Sequence, residues 1–320
     1  VDARVRLQPR HRLSAGLGFA ADIGARAEIG YENRYLNRSG HQAGAELRAS
    51  PVLSGLRGEY RLPLKGRRDP WLHLEAGATR ERTDTVTADA VTASARRVHR
   101  GPLGTRMTEF LELSRERFRV AEDRGTARLA LVGLAFDRTR RRERDPLELG
   151  WRLHTSVRGT ARPVSSTSLL QLRAESELAL AAGAAARIIL RGSAGTTWTP
   201  SIRDLPSSLR FFAGGDRSIR GYGLDDVGPL AGNGEVRGGR HLLAGTVEYE
   251  RMIRGRWSAA LFADSGSAFD QGGPAPWVTG VGVGLRWHSP IGPLRLDLAV
   301  PLDDPTRQLR LHVGVGALFR

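Results

Sequence analysis

Apolar and polar residues alternate with a period of two through nearly the whole chain. Ala25, Ala27, Ile29 and Tyr31 stand at every second position, with Arg26, Glu28 and Gly30 between them. Leu72, Leu74, Ala76 and Ala78 alternate with His73 and Glu75, and Leu170, Leu172 and Ala174 with Gln171, Arg173 and Glu175. Leu309, Leu311, Val313 and Val315 alternate with Arg310, His312, Gly314 and Gly316. Successive side chains of a strand point to opposite faces, so this period predicts strands with one oily and one polar side. Segments such as Thr108–Val120 are weaker and read either as helix or as strand.

Segment length separates two kinds of strand. Soluble sandwiches use strands of about 5–6 residues. Many runs here last about 9–11 residues, which crosses a bilayer when tilted. Trp71, Trp198, Trp257, Trp277 and Trp287 lie at or near segment ends, where an aromatic girdle sits. About sixteen segments follow one another, an even number as in bacterial outer-membrane barrels. They begin near Leu13, Ala25, Gln42, Leu56, Trp71, Val86, Thr108, Thr126, Leu147, Ser168, Ala186, His241, Trp257, Val278, Leu294 and Gln308. The connection after the eleventh, from about Thr199 to Arg240, is by far the longest. If the chain enters from the periplasm, odd-to-even connections face outward and should be the longer ones. The tight turns Met252–Arg256 and His288–Pro293 obey this, and Asn33–Gly40 does not. The fold expected is all-β: a transmembrane antiparallel β-barrel of about 16 strands over residues 11–320, with a long loop between strands 11 and 12. Val1–Arg10 is expected to be the remnant of a preceding periplasmic domain, or a linker.

Composition narrows the function. No apolar run reaches 18 residues, so no helix spans a membrane. Cysteine is absent, which excludes disulfides and thiolate metal sites. The net charge of +15 is almost entirely arginine, with Lys65 the only lysine. The arginines are scattered through the chain and alternate with apolar residues, so no nucleic-acid surface is expected. The densest run, Arg138, Arg140, Arg141, Arg142 and Arg144, reads as a turn between two strands, where it would meet acidic headgroups.

Catalytic patterns are lacking. Gly280-Val-Gly282-Val-Gly284 has no following helix and no final glycine spacing, so glycine at alternating lumen positions explains it better than a phosphate loop. There is no Gly-x-Ser-x-Gly elbow, and the eight histidines are dispersed. The chain is therefore read as no enzyme, with no metal and no cofactor.

The long loop contains Arg210-Phe-Phe-Ala-Gly-Gly-Asp-Arg-Ser-Ile-Arg-Gly-Tyr-Gly223. Its Ile219-Arg220-Gly221-Tyr222 resembles the sixth extracellular loop of the BamA/TamA superfamily of outer-membrane insertases. The stretch Phe211–Tyr222, with Gly214, Gly215 and Asp216, resembles the TamA form in particular. Gly245-Thr-Val-Glu248-Tyr249 and Phe262-Ala-Asp264-Ser-Gly266 follow in the order of that family's twelfth- and thirteenth-strand motifs. The endings Gly282–Pro293 and Leu296–Pro301 are also similar. Alternation places Glu248 and Asp264 opposite the apolar faces of their strands, hence in the lumen. The resemblance implies that Arg220 folds inward and pairs with them.

It further implies a bacterial outer-membrane protein that inserts or translocates β-barrel clients such as autotransporters through a weak seam between first and last strands. Its partners would be outer-membrane lipid and lipopolysaccharide, those clients, and a TamB-like inner-membrane protein reached through periplasmic domains. The seam residues are Leu17, Gly18 and Phe19 against Gly314, Gly316 and Phe319. Glycine there either weakens the strand or packs tightly in the lumen. The alternatives are a BamA-type assembler or two-partner secretion pore, and, in another class, a passive diffusion porin or the barrel anchor of a fused secreted enzyme.

Overall fold

The computed structural model describes residues 9–66, 70–144, 147–270, 277–289, 292–305 and 308–315. The first eight strands are β1 (His11–Ala20), β2 (Gly24–Asn33), β3 (Gln42–Ala49), β4 (Leu53–Pro63), β5 (Trp71–Arg82), β6 (Val86–Arg100), β7 (Arg106–Val120) and β8 (Asp123–Arg144). The others are β9 (Leu147–Thr160), β10 (Leu169–Ala181), β11 (Ala186–Trp198), β12 (His241–Arg254), β13 (Trp257–Phe269), β14 (Val278–Ser289), β15 (Gly292–Pro301) and β16 (Arg310–Val315). Each pairs antiparallel with its sequence neighbours, and β1 meets β16 to close the barrel. The expected residues 1–8 of a preceding segment lie outside the described residues.

The alternation sorts as a membrane barrel requires. On β12, Leu243, Val247 and Tyr249 are exposed toward lipid, whereas Ala244, Thr246, Glu248 and Glu250 are buried in the lumen. On β13, Trp257 and Leu261 face out and Phe262 and Asp264 face in. Trp257 stacks on Trp287 of β14 at 5.9 Å, a girdle pair at the end away from the long loop. Thr108–Val120, ambiguous in sequence, is strand β7, paired along its length with β6 and β8.

Two expectations are corrected. Arg138–Arg142 are not in a turn: they continue β8 in register with β9, from Arg138↔Leu153 to Arg142↔Leu149. The expected difference in connection length also fails in the first half of the barrel. There the odd-to-even turns 21–23, 50–52 and 83–85 are shorter than the links 34–41 and 64–70. The reason lies in the long loop, which fills the mouth on the side of those short turns.

That mouth has an apolar core of its own. Val86, Ala88, Phe118, Val120, Ala127, Leu129 and Leu131, from the ends of β6, β7 and β8, bury against Ile202, Leu205 and Leu209 of the loop. The inward faces of these strands are thus apolar above the bilayer, although their outward faces are apolar within it. Such an inversion is what the hydrophobic effect requires where lipid gives way to water.

Candidate functional site

The loop between β11 and β12 is pinned at three levels. Near the mouth, Ser207 and Ser208 donate from their hydroxyls to Glu116 of β7 at 2.7 and 2.5 Å. Arg210 donates to Asp123 of β8 at 2.8 Å and lies over the Phe118 ring. Gln171 of β10 donates to the Leu209 carbonyl at 2.9 Å. These contacts aim the rest of the loop down the lumen.

At the deepest level, Arg220 is 4% exposed. Its Nε and Nη2 donate to the two carboxylate oxygens of Asp264 at 2.7 and 2.9 Å, and its backbone N–H donates to Asp264 at 3.0 Å. Nη1 donates to Glu248 at 3.0 Å and to Asp297 of β15 at 3.1 Å. Its guanidinium lies 3.4 Å above the Phe262 ring. The planar fork matches a carboxylate in two bonds, which an ammonium cannot do. Arg286 of β14 bonds Glu248 at 3.0 Å and also Asp297, and Arg191 of β11 stands 3.5 Å from Glu248. Charge therefore balances inside the wall, with Arg191, Arg220 and Arg286 against Glu248, Asp264 and Asp297.

Glycines make room for this packing. A Cβ on Gly280 would strike the Arg220 carbonyl oxygen, one on Gly282 the Phe262 ring, and one on Gly284 the Asp297 and Arg286 side chains. Gly280 is thus where the loop backbone rests on β14, while Gly282 and Gly284 admit the Phe262 ring and the ion pairs beside it. Gly221 adopts φ +100° and its backbone lies against Val300 and Pro301 of β15, so a side chain there has neither a relaxed conformation nor space. Gly214 and Gly215 also take positive φ, at +99° and +91°. Gly266 lets β13 approach the Leu243 carbonyl and Ala244 of β12. Ile219 is fully buried in a small cluster with Phe211, Ala213, Val227 and Ala268, against which Tyr222 packs.

Asp216 does what its place in the motif did not reveal. Its backbone N–H donates to Asp22, in the β1–β2 turn, at 2.6 Å. The Gly221 N–H donates to His312 Nε2 at 3.0 Å, so the proton of that imidazole sits on Nδ1 and is given to Asp216. The loop thereby bridges the first hairpin to the last strand. Asp22, Asp216 and His312 have the composition of a metal trio, but both ring nitrogens are already engaged and the group reads as a hydrogen-bond chain. Burial, and then the neighbouring Asp216 carboxylate, raise the Asp22 pKa to about 7. Burial also acts upward on Asp216, but hydrogen bonds from His312 and Asp22 outweigh it and hold that carboxylate below its usual range.

The seam is described only where Ala20 and Ala21 meet the last strand, because residues 316–320 lie outside the described residues. Among the described residues β1 and β16 share one register pair, Ala20↔Gly314, while β1 and β2 share ten, from His11↔Asn33 to Ala20↔Gly24. Ala21 adds a bond to the Val313 carbonyl at 3.2 Å. Leu17 and Phe19 are exposed toward lipid. Gly16 and Gly314 have open space where a Cβ would stand, and a Cβ on Gly18 would meet only the Arg26 side chain. Gly316 and Phe319 lie outside the described residues.

Sequence reasoning brought together Arg220, Glu248 and Asp264 and missed Asp297, Arg286 and His312. Each missed residue occupies the polar phase of an alternating strand, so phase alone marked them as lumenal without marking them as partners. A second lumenal cluster, in which Glu250 accepts from Arg187 at 2.7 Å, Ser258 at 2.5 Å and His288 at 3.0 Å, was also not anticipated.

The comparisons agree with this geometry. The outer membrane protein assembly factor BamA of Nitratidesulfovibrio vulgaris is 34% identical over 108 residues, 32% of this chain and 14% of that protein. The chloroplastic outer envelope protein 80 of Arabidopsis thaliana is 32% identical over 117 residues, 33% of this chain and 14% of that protein. Both alignments therefore take in a small part of a much longer relative. The crystal structure of Haemophilus ducreyi BamA lacking POTRA domains 1–3 superposes with a TM-score of 0.83 at 14% identity, covering 96% of this chain and 70% of that one. CdiB from Acinetobacter baumannii follows with a TM-score of 0.61 at 14% identity, covering 96% and 59%. The family description of the Omp85 superfamily domain matches residues 115–319, a span holding the pinned loop, its carboxylates and the last strand, and on that ground the chain is a bacterial outer-membrane barrel of the Omp85 superfamily.

Proposed function

We propose that this barrel assists the insertion or secretion of β-barrel clients through a lateral opening between β1 and β16. The observation that carries the reading is the docked loop, whose Arg220 is held by Asp264, Glu248 and Asp297 and whose Asp216 ties the first hairpin to the last strand beside that junction. A strand edge without a partner offers a row of N–H and C=O groups on which another chain can pair by β-augmentation. A barrel with its loop docked in the lumen is poorly suited to steady diffusion, which disfavours a passive porin. In this reading the chain acts as a template and a gate, and not as an enzyme.

The finer assignment is to the TamA branch, on the form of Phe211–Tyr222, with autotransporters as clients and a TamB-like partner engaged through periplasmic domains. The 34% identical BamA segment and the BamA superposition support a BamA-type assembler equally well. Complementation separates the two: rescue of autotransporter display in a strain lacking TamA supports the first, and rescue of growth under BamA depletion the second.

The gate is tested with Ala20→Cys paired with Gly314→Cys. Because the chain has no cysteine, an introduced pair has one possible disulfide. Oxidation is expected to stop client assembly while the barrel stays folded, and reduction to restore it. Full activity of the locked form would discard the lateral gate.

A further inference from the structure

On the outward face of β5–β8, at the mouth where the loop enters, arginine replaces the lipid-facing apolar residues. The β7 face runs Leu111, Leu113, Arg115, Arg117, Arg119, all exposed. The β8 face runs Arg124, Thr126, Arg128, then Ala130, Val132 and Leu134. Arg115 stands directly opposite Arg128, and Arg119 opposite Arg124. Like charges facing each other across two strands destabilise the pair. Of the acids on this side, Asp89 of β6, across from Arg117, is taken by Arg80 at 2.8 Å and Arg82 at 3.5 Å, Glu122 of the β7–β8 turn stands 3.9 Å from Arg237 of the loop, and Asp84 lies in the β5–β6 turn. Arg115, Arg117, Arg119, Arg124 and Arg128 have no carboxylate partner among the described residues.

The depth of this patch fixes its surroundings. Arg128 and Arg138 bracket the apolar stretch of the β8 face, ten residues apart. At about 3.3 Å per residue and a tilt of about 40°, they lie about 25 Å apart across the membrane. That equals the height of the apolar band of an outer-membrane barrel, about 25 Å. Arg115 and Arg128 therefore sit where hydrocarbon ends. The next two rows rise about 5 Å each on the same arithmetic, through the headgroup layer.

We propose that these five arginines form a binding surface for the phosphates of an outer-leaflet glycolipid that carries more than one phosphate, of the lipid A type. Guanidinium binds phosphate through two parallel N–H bonds, and facing arginine pairs become favourable once a dianionic group lies between them. Long stems pack on the apolar face below while the heads reach the phosphates. A soluble acidic protein would need a patch standing clear of the bilayer, whereas this one continues the lipid-facing stripe without a break.

The test uses the whole chain, folded in neutral detergent, with binding of diphosphorylated lipid A followed by native mass spectrometry. Replacing the five residues together (Arg115→Gln, Arg117→Gln, Arg119→Gln, Arg124→Gln, Arg128→Gln) is expected to weaken binding by about tenfold or more. The triple change Arg138→Gln, Arg140→Gln, Arg142→Gln, at the opposite membrane face, is expected to leave it unchanged. Should the fivefold variant fail to fold, Arg119→Gln with Arg124→Gln, at the turn tip, is expected to give a smaller loss in the same direction. Unchanged binding in the belt variants overturns the proposal. So does equal binding of lipid A stripped of both phosphates, or of phosphatidylglycerol, which would reduce the patch to an unspecific positive surface.

Discussion

The wall from β11 to β15 and the junction of β1 with β16 belong to one sheet, yet they are built on opposite plans. In the wall, Arg220 and Arg286 are buried with three carboxylates and Arg191 stands half-buried beside them, Gly280 lets the loop backbone lie on β14, and the β12–β13 and β13–β14 registers run nearly end to end. In the described part of the junction Ala20 pairs with Gly314, Ala21 bonds the Val313 carbonyl, and Gly16 and Gly314 have open space where a Cβ would stand. The wall is specified by charges that cannot be left unpaired. Among the described residues no ion pair or side-chain hydrogen bond joins β1 to β16. The loop, through Asp216, ties the charged wall to the first hairpin and the last strand.

That contrast can be broken from the charged wall first. Arg220→Ala leaves Asp264 buried without its cation, and breaking a buried pair this way typically costs about 3–5 kcal/mol. Residues 199–240 should then become sensitive to protease added at the barrel mouth; an unchanged digestion pattern counts against docking. Arg220→Lys is expected to recover only part of the protection, because an ammonium makes no fork.

Gly280→Val should act next in size. Overpacking of this kind costs about 1–3 kcal/mol and here pushes directly on the Arg220 carbonyl. Digestion intermediate between the wild type and Arg220→Ala is expected, and full protection would show that the room at Gly280 is dispensable.

The link between loop and first hairpin should depend on pH. Asp22 has a folded pKa of about 7, above the ordinary 3.8, so its contribution is fully present below about pH 4 and is lost as pH rises through 7. Hydrogen exchange of the amides near Asp22 and Asp216 should be slower at pH 5.5 than at pH 8.5 after correction for the intrinsic rate. Asp22→Asn should flatten that difference, and a persistent slope in this variant assigns it to another group. The smallest effect is expected at the junction. Gly314→Val fills open space and raises strand propensity by about 1 kcal/mol or less. It should slow exchange of the Ala20 and Ala21 amides, and no change there would mean that the junction is not limited by propensity.

Much of this architecture was legible in the chain because lipid on one side and water on the other force alternation. Every expected segment start fell on or within a few residues of an observed strand. Legibility failed where that contrast vanishes. Arg138–Arg142 stand past the apolar band, both faces of β8 are polar there, and a period-two reading has nothing to detect. The turn lengths of the first half misled for a related reason, since a loop from 199–240 covers that mouth and short turns suffice beneath it. In the site, motif and phase together found Arg220, Glu248 and Asp264. Asp297, Arg286 and His312 depend on the register of β14, β15 and β16, which alternation leaves open.

The apolar cap at the mouth has a consequence for assembly order. Phe118, Leu129 and Leu131 acquire their cover from Ile202, Leu205 and Leu209, which are synthesised some seventy residues or more further along the chain. Until those residues arrive, the ends of β7 and β8 stand in water with their oily sides bare. The mouth is therefore completed only once that loop is in place, and a chain cut off before the loop would carry an apolar rim there.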